Sequence, residues 1–272
     1  MIEGWSVHPS IPLGLGLIAL LYGIGVGPLR RRLDPAARIE PLQIVTFAAG
    51  LLVFFLALTG PIHDLSDSYL FSAHMVQHLI ITLVAPPLLL AATPEWLARG
   101  LLRPPAVYGM VRFLTRAPVA YLIYNFVLAL WHLPRLYNST LVLLEVHILE
   151  HVLFIGTAFL MWMPVLSPLP ELRLRPIVQV LYLILLTFPM KGIGALLTMS
   201  DSILYPAYAL APRAFGLDAF SDQRIGGLLM WLPAGLILWG GAAIVFLSWW
   251  AREHRSDEIA RNRAGATPAE PV

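Results

Sequence analysis

The chain has 272 residues, of which 58% are hydrophobic and only 12% are charged, and its mean hydropathy is +0.75. A soluble globular domain carries roughly 25% charged residues, so the composition excludes that class and indicates a polytopic membrane protein. The formal net charge of +2 is too small to favour a nucleic-acid partner. Because cysteine is absent, neither a disulfide nor a thiolate metal site is possible.

Apolar runs long enough to cross a bilayer, which takes about 20 residues, recur along the chain. They predict an all-α, seven-transmembrane-helix bundle with spans at 10–29, 40–60, 70–92, 118–133, 141–163, 175–198 and 225–250. Between 92 and 118, apolar residues alternate with arginines, which predicts an interfacial amphipathic stretch. We expect one membrane domain, 1–250, followed by a charged and partly disordered C-terminal tail, 251–272.

The distribution of basic residues predicts the orientation of the bundle. Arginines concentrate in alternate connections, at Arg30, Arg31, Arg32, Arg38, Arg99, Arg103, Arg112, Arg116, Arg173, Arg175, Arg252, Arg255, Arg261 and Arg263. The other connections contain only Arg135, Arg213 and Arg224. By the positive-inside rule, the N-terminus lies outside and the C-terminus in the cytoplasm. The single lysine, Lys191, falls within a span, where Asp222 or Glu145 is the expected partner.

Two histidine pairs carry the chemical signal. HMVQH supplies His74 and His78, and HILEH supplies His147 and His151. The i,i+4 spacing places both rings of a pair on one helix face, about 6 Å apart along the axis. A single histidine in a membrane helix is more often a hydrogen-bonding core residue than a ligand. Two pairs at similar depth, however, predict a metal or haem site.

Other side chains at the predicted outer side extend this candidate site. His63 and His132 fall at the outer ends of spans two and four, and Met75 adjoins the first pair. Imidazole suits copper, zinc, iron and nickel, whereas a thioether favours Cu(I). A histidine site that can include methionine therefore predicts copper, as Cu(I), ahead of zinc or haem.

Glu150 and Asp222 each allow two interpretations. HILEH matches the H-x-x-E-H pattern of some zinc proteases, with Glu150 as the base, but the motif is short and lies in a lipid-embedded helix. We therefore expect no enzyme activity, and Glu150 would instead orient a ligand imidazole. Asp222 either forms the N-terminal cap of the last span, as Ser221 also could, or provides a carboxylate lid over the histidines.

Three other functions remain possible from the residues alone. A haem-binding redox protein would use the same histidines as axial ligands. A metal permease would need polar residues that continue to the cytoplasmic side, where the spans are almost purely apolar. A structural scaffold would use its histidines only for hydrogen bonds. The oligomeric state stays open.

Several motifs occur in a fixed order: SAHMVQHLIITLVAPPLLLAATP (72–94), LALWHLP (128–134), HILEHVLFIGTAFLMWMPV (147–165), YPAY (205–208) and SDQRIGGLLMWLPAG (221–235). Together they resemble the CtaG family of cytochrome c oxidase assembly factors, the multi-span type that serves caa-type oxidases. The resemblance implies a protein of the bacterial plasma membrane that matures haem–copper oxidases by supplying copper, with oxidase subunits, the copper ion and the lipid bilayer as partners. It also implies His74, His78, His132, His147 and His151 as copper ligands and Asp222 as a site residue.

Overall fold

The computed structural model describes residues 9–34 and 36–265, with side chains described as far as Arg255. These residues form helices joined by short turns and contain no strand, which confirms the predicted all-α class. In chain order the helices are α1 (Ser10–Leu33), α2 (Pro41–Leu58), α3 (Gly60–Ser68), α4 (Phe71–Ala92), α5 (Glu95–Leu101), α6 (Pro105–Leu114), α7 (Ala117–Trp131), α8 (Pro134–Thr140), α9 (Leu144–Leu166), α10 (Pro176–Met199), α11 (Pro206–Leu210) and α12 (Ala219–Gly265).

The long helices correspond to the predicted spans. Within the described residues, six helices are long and apolar enough to cross a membrane, and a seventh span results if α6 and α7 are taken together across their 69° bend. α7, which covers the predicted span 118–133, has 15 residues. At 1.5 Å per residue it measures about 22 Å, less than the roughly 30 Å of a hydrocarbon core. Its neighbour α6 contains no buried residue, in keeping with the amphipathic stretch predicted there.

The second span ends within two residues of the predicted position, and one other helix end differs from the prediction. The second span breaks after α2 because Thr59 is extended and Gly60 adopts a left-handed conformation (φ 68°), so His63 lies on the separate helix α3. α12 continues beyond the predicted end at 250 and includes the first part of the expected tail. Residues 266–272 of that tail lie outside the described residues.

α4 is the central helix of the bundle. It is the most buried of the candidate spans and packs against α2, α9 and α12. Pro86 lacks the amide hydrogen that would bind the carbonyl of Thr82, and a π-helical turn, Ile80–Val84, interrupts α4 at this level. The indole nitrogen of Trp162 on α9 donates to the freed Thr82 carbonyl at 2.9 Å. This hydrogen bond ties α4 to α9 one turn beyond the histidine pair of α4.

Close packing fixes α12 in the bundle. At Gly194 of α10, an added Cβ would lie 2.7 Å from the backbone oxygen of Gly227 on α12, so only glycine permits this approach.

The described start of α12 is capped by Asp218, whose Oδ1 accepts the amide hydrogens of Phe220 and Ser221, both at 3.0 Å. The pKa of Asp218 is lowered mainly by a hydrogen bond from the Ser221 side chain, and further by these backbone hydrogen bonds. Asp222 and Ser221, the predicted caps, do not have this role.

Lys191 has a different partner from the predicted carboxylates. Its Nζ lies 4.3 Å from the ring centroid of Trp239 on α12, a cation–π contact. Trp239 is half-exposed on the outside of the bundle, so the ammonium is directed away from the core. The expected pairing with Asp222 or Glu145 is therefore wrong.

Candidate metal centre

The histidines of α4 and α9 meet at one end of the bundle, the histidine end, where α3, α8 and α11 also lie. His74 and Glu150 are completely buried, and His78, His147 and His151 are each less than a tenth exposed. The ring centroids of His78 and His151 are 5.5 Å apart, and those of His74 and His147 are 6.2 Å apart. The histidine pair of α4 and the histidine pair of α9, both predicted from the sequence, therefore face each other.

Glu150 is shared by both pairs. The ligand atoms of His74, His78 and Glu150 all lie within 4.8 Å of one another, and so do those of His147, Glu150 and His151. Glu150 Oε1 is 3.8 Å from His74 Nε2 and 4.0 Å from His78 Nε2. We call these five residues the His–Glu centre. The sequence suggested Glu150 as a protease base or as a group that orients an imidazole, whereas the structure places its carboxylate among the ligand atoms of both pairs.

Most side-chain polar atoms of the His–Glu centre lack a hydrogen-bond partner in the described part of the chain. Among the described residues, these buried atoms without a partner are both ring nitrogens of His74 and of His78, Nε2 of His147 and of His151, and both carboxylate oxygens of Glu150. Buried polar groups in native proteins are nearly always paired, and an exception calls for a water or an ion. A buried carboxylate in particular requires a cation or a proton. The arrangement therefore fits a bound metal ion.

Backbone carbonyls fix the tautomer of two histidines. His151 Nδ1 lies 3.1 Å from the carbonyl oxygen of His147, and His132 Nδ1 lies 2.7 Å from that of Leu128. Because a carbonyl only accepts, each Nδ1 carries the hydrogen and each Nε2 presents a lone pair. Both Nε2 atoms are buried and without a partner in the described part of the chain. Each of these two imidazoles thus has an unprotonated Nε2 that could bind a metal ion.

His63 belongs to the frame of the site. Gln77 Nε2 lies 3.2 Å from His63 Nδ1 and donates to it, because the amide nitrogen cannot accept. The other ring nitrogen of His63 is 3.4 Å from Asp67 Oδ2, and Asp67 Oδ1 is 3.8 Å from His147 Nε2. A chain of polar contacts therefore runs from Gln77 through His63 and Asp67 to His147. Asp67 and Gln77 were not predicted, although the i,i+4 spacing of His63 and Asp67 on α3 would have suggested the first.

Gln77 is itself held at three points. Its amide nitrogen also donates to the carbonyl of Ala57 at 2.9 Å, and its Oε1 accepts the hydroxyl hydrogen of Ser66 at 3.0 Å. The His63 carbonyl oxygen, 2.8 Å from the same hydroxyl, competes for its single hydrogen. These bonds connect the end of α2, α3 and α4. They hold α3 against the His–Glu centre.

The structure places Asp222 at the N-terminus of α4. Its Oδ2 accepts the amide hydrogen of Phe71 at 2.7 Å, and its Oδ1 accepts that of Ser72 at 3.0 Å. The carboxylate thus caps the helix that carries His74 and His78, and it does not join the ligand atoms of the His–Glu centre. Its contribution to a metal site is to hold α4 in place.

Met75 and His132 also lie outside the His–Glu centre. Met75 is buried on α4, and its side chain is next to Gly226 of α12. His132 follows the last residue of α7. Both line a small cavity on the side of His78 that faces α7 and α12.

The separations are close to those of a metal site. With bonds of 2.0–2.1 Å to nitrogen, two ligand atoms are about 3.3 Å apart in a tetrahedral site and about 4 Å apart when they face each other across the ion. The contacts of Glu150 with His74 and His78, at 3.8 and 4.0 Å, fall between these values. Small side-chain rotations would thus complete either arrangement. A groove of about 320 Å³, lined among others by His63, Asp67, His147 and His151, reaches the centre from the α1 side.

The comparison with known families identifies the chain. The family model for the cytochrome c oxidase caa3 assembly factors, Caa3_CtaG, matches residues 20–252, a range that includes all five residues of the His–Glu centre. Neither the curated proteins nor the solved structures contain a match. The match agrees with the resemblance seen in the motifs. The chain therefore belongs to the family of cytochrome c oxidase caa3 assembly factors.

Proposed function

We propose that this protein binds copper, as Cu(I), at the His–Glu centre and passes it to a haem–copper oxidase during assembly, in the bacterial plasma membrane. The observation that carries the proposal is the set of buried ligand atoms without partners on two facing helices. Imidazole is a good ligand for copper, and the family membership supplies the oxidase as the recipient. The role is that of a metal carrier and is not catalytic.

The groove at the α1 side supports a path for the ion. His63, Asp67, His147 and His151 line it, and Asp67 is partly exposed. A carboxylate near the mouth would attract a cation, and His147 would be the first imidazole of the centre that the ion meets. On the opposite side, the buried face of α9 is apolar from Phe154 onward, except for Thr157. The apolar continuation disfavours a permease, which would need further ligands along a through-path.

The same geometry disfavours haem and protease chemistry. Glu150 lies within 4.8 Å of ligand atoms from both helices and so fills the space that a porphyrin would need. A protease base must reach a water and a substrate, yet Glu150 is completely buried. Absence of a Soret absorption band in the purified protein would check the first of these points.

Metal content of the detergent-purified full chain, loaded with Cu(I) under reducing conditions, tests the proposal. We expect bound copper in the wild type and its loss from the His–Glu centre in the double variant His74→Ala/His151→Ala. His254→Ala is the matched control, because His254 is an exposed histidine of α12 far along the chain from the centre. Equal copper in the wild type and the double variant would show that the centre does not bind the metal. The histidines would then be structural.

A further inference from the structure

The cavity beyond His78 is lined by a second set of metal-binding side chains. Met75 and His78 of α4, His132 at the end of α7, Met190 of α10 and Met230 of α12 all border it. Soft or borderline ligands from α4, α10, α12 and the end of α7 thus share this cavity with Leu79, Thr82, Tyr124, Leu128 and Phe154. The three methionines are at most 3% exposed and His78 is 7% exposed, whereas His132 is half-buried.

Each of the two histidines of this cavity, when neutral, has one ring nitrogen with a lone pair to offer. Both ring nitrogens of His78 and Nε2 of His132 are buried and have no hydrogen-bond partner in the described part of the chain. The Leu128 carbonyl holds the hydrogen of His132 on Nδ1, at 2.7 Å, so that Nε2 is unprotonated. A cavity lined only for packing would leave these buried nitrogens unexplained.

The size and the charge of the cavity restrict its occupant. Its volume of about 10 Å³ is roughly that of one water molecule in the same measure, which suits a single ion and excludes an organic ligand. None of the described residues that line it is acidic. The cost of burying an ion rises with the square of its charge, so a neutral ligand set favours a monovalent ion over a divalent one. Thioethers together with imidazoles select Cu(I) among the metals available to proteins.

We infer that Met75, His78, His132, Met190 and Met230 form a second Cu(I) site, the thioether site, next to the His–Glu centre. The inference rests on the proposed copper function and goes beyond it by assigning a separate site with its own ligands. His78 borders both sites. An ion therefore moves from one to the other by exchanging ligands around a single imidazole, without release into water.

The thioether site also has a way out of the bundle. His132 borders a groove of about 730 Å³ between α7 and α10, whose lining includes the exposed side chains of Leu133, Leu196 and Met199. This groove lies on a different side of the bundle from the one that His147 and Asp67 border. Metal-binding side chains thus form a continuous row across the histidine end. The row begins at the groove beside α1, passes the His–Glu centre and the thioether site, and ends at the groove between α7 and α10.

The experiment combines metal content with X-ray absorption at the copper edge on the full chain, loaded anaerobically with Cu(I). We expect about two equivalents in the wild type and sulfur scattering at about 2.3 Å, the length of a metal–sulfur bond. The near-isosteric double variant Met190→Leu/Met230→Leu should lose one equivalent and the sulfur signal. Met161→Leu is the control, because Met161 is fully buried on α9 but does not line the cavity.

A third variant separates this inference from the proposed function. His147→Ala/His151→Ala removes ligands of the His–Glu centre alone and should retain the sulfur-bound copper. One equivalent without sulfur scattering in the wild type would overturn the thioether site and leave the His–Glu centre intact. Sulfur-bound copper that is unaffected by changes in the His–Glu centre, with no other copper bound, would support the thioether site and overturn the His–Glu centre as a copper site. Wild-type protein without copper would overturn both.

Discussion

The carboxylate of Asp222 connects α12 to the start of α4 through two hydrogen bonds, and replacing Asp222 by alanine removes both. Two amide hydrogens of α4 lose their acceptor, and the site is 1% exposed, so water does not replace it readily. Hydrogen bonds to a charged group contribute about 1.5–3 kcal/mol each. Allowing for partial relaxation, we expect Asp222→Ala to lower the free energy of unfolding by about 3–5 kcal/mol.

Equilibrium unfolding of the metal-free protein in lipid bicelles measures this change. Asp222→Asn keeps one amide oxygen as an acceptor and loses the negative charge at the helix N-terminus, so roughly half of the loss is expected. Asp201→Asn is the control, since Asp201 is an exposed aspartate at the same end of the bundle. The wild type and the control should unfold alike.

The same variant decides between a cap and a ligand. A cap stabilises the protein with or without copper, so the loss in Asp222→Ala should appear in the metal-free form. A ligand would leave the metal-free stability almost unchanged and would reduce the bound copper. A change of less than about 1 kcal/mol in the metal-free protein, together with a missing equivalent of copper, would refute our assignment of Asp222.

Three further results are expected. Gly194→Ala should destabilise the contact of α10 with α12 by about 1–3 kcal/mol in thermal unfolding, whereas Gly240→Ala, where an added Cβ has nothing within 4 Å, should have little effect. Glu150→Gln removes the buried carboxylate and should weaken copper binding about 10–100-fold in a competition titration without unfolding the metal-free protein; unchanged affinity would contradict its central place. The hydrogen bonds of Arg99 lower the pKa of Glu171, so the stability that this pair contributes is present above the ordinary glutamate pKa and is lost as the pH falls through the lowered value. Arg99→Ala should abolish that acid-side dependence in hydrogen exchange around the turn of Glu171.

The sequence predicts the parts of this molecule that depend on local spacing. Apolar runs mark the spans, and the i,i+4 pairs His74/His78 and His147/His151 mark the faces of α4 and α9 that carry the site. Both follow from the period of one helix. The convergence of the two pairs then requires only that α4 and α9 be neighbours, which the structure shows.

Relations between distant residues escape this kind of inference. Asp222 caps a helix that begins about 150 residues earlier. Because Asp222 lies in the first turn of α12, the sequence predicted that it caps α12 instead. Lys191 contacts the ring of Trp239, because a face of an aromatic ring competes with carboxylates for an ammonium. Met190 and Met230 are more often packing residues, and only the packing of α10 against α7 and α12, and of α12 against α4, gives them a common cavity with His132.

The polar groups of the histidine end divide into two kinds by their hydrogen bonds. Gln77 and Asp222 have their polar atoms paired with backbone or neighbouring side chains, so they position α3 and α4. His74, His78 and Glu150 sit beside them with none of their buried polar atoms paired. Among the described residues, Asn125 Oδ1 and Trp131 Nε1 are also buried without a partner, but the His–Glu centre differs because its ligand atoms group within 4.8 Å of one another. We therefore expect a bound metal ion at the unpaired set, with the paired set holding α3 and α4 around it.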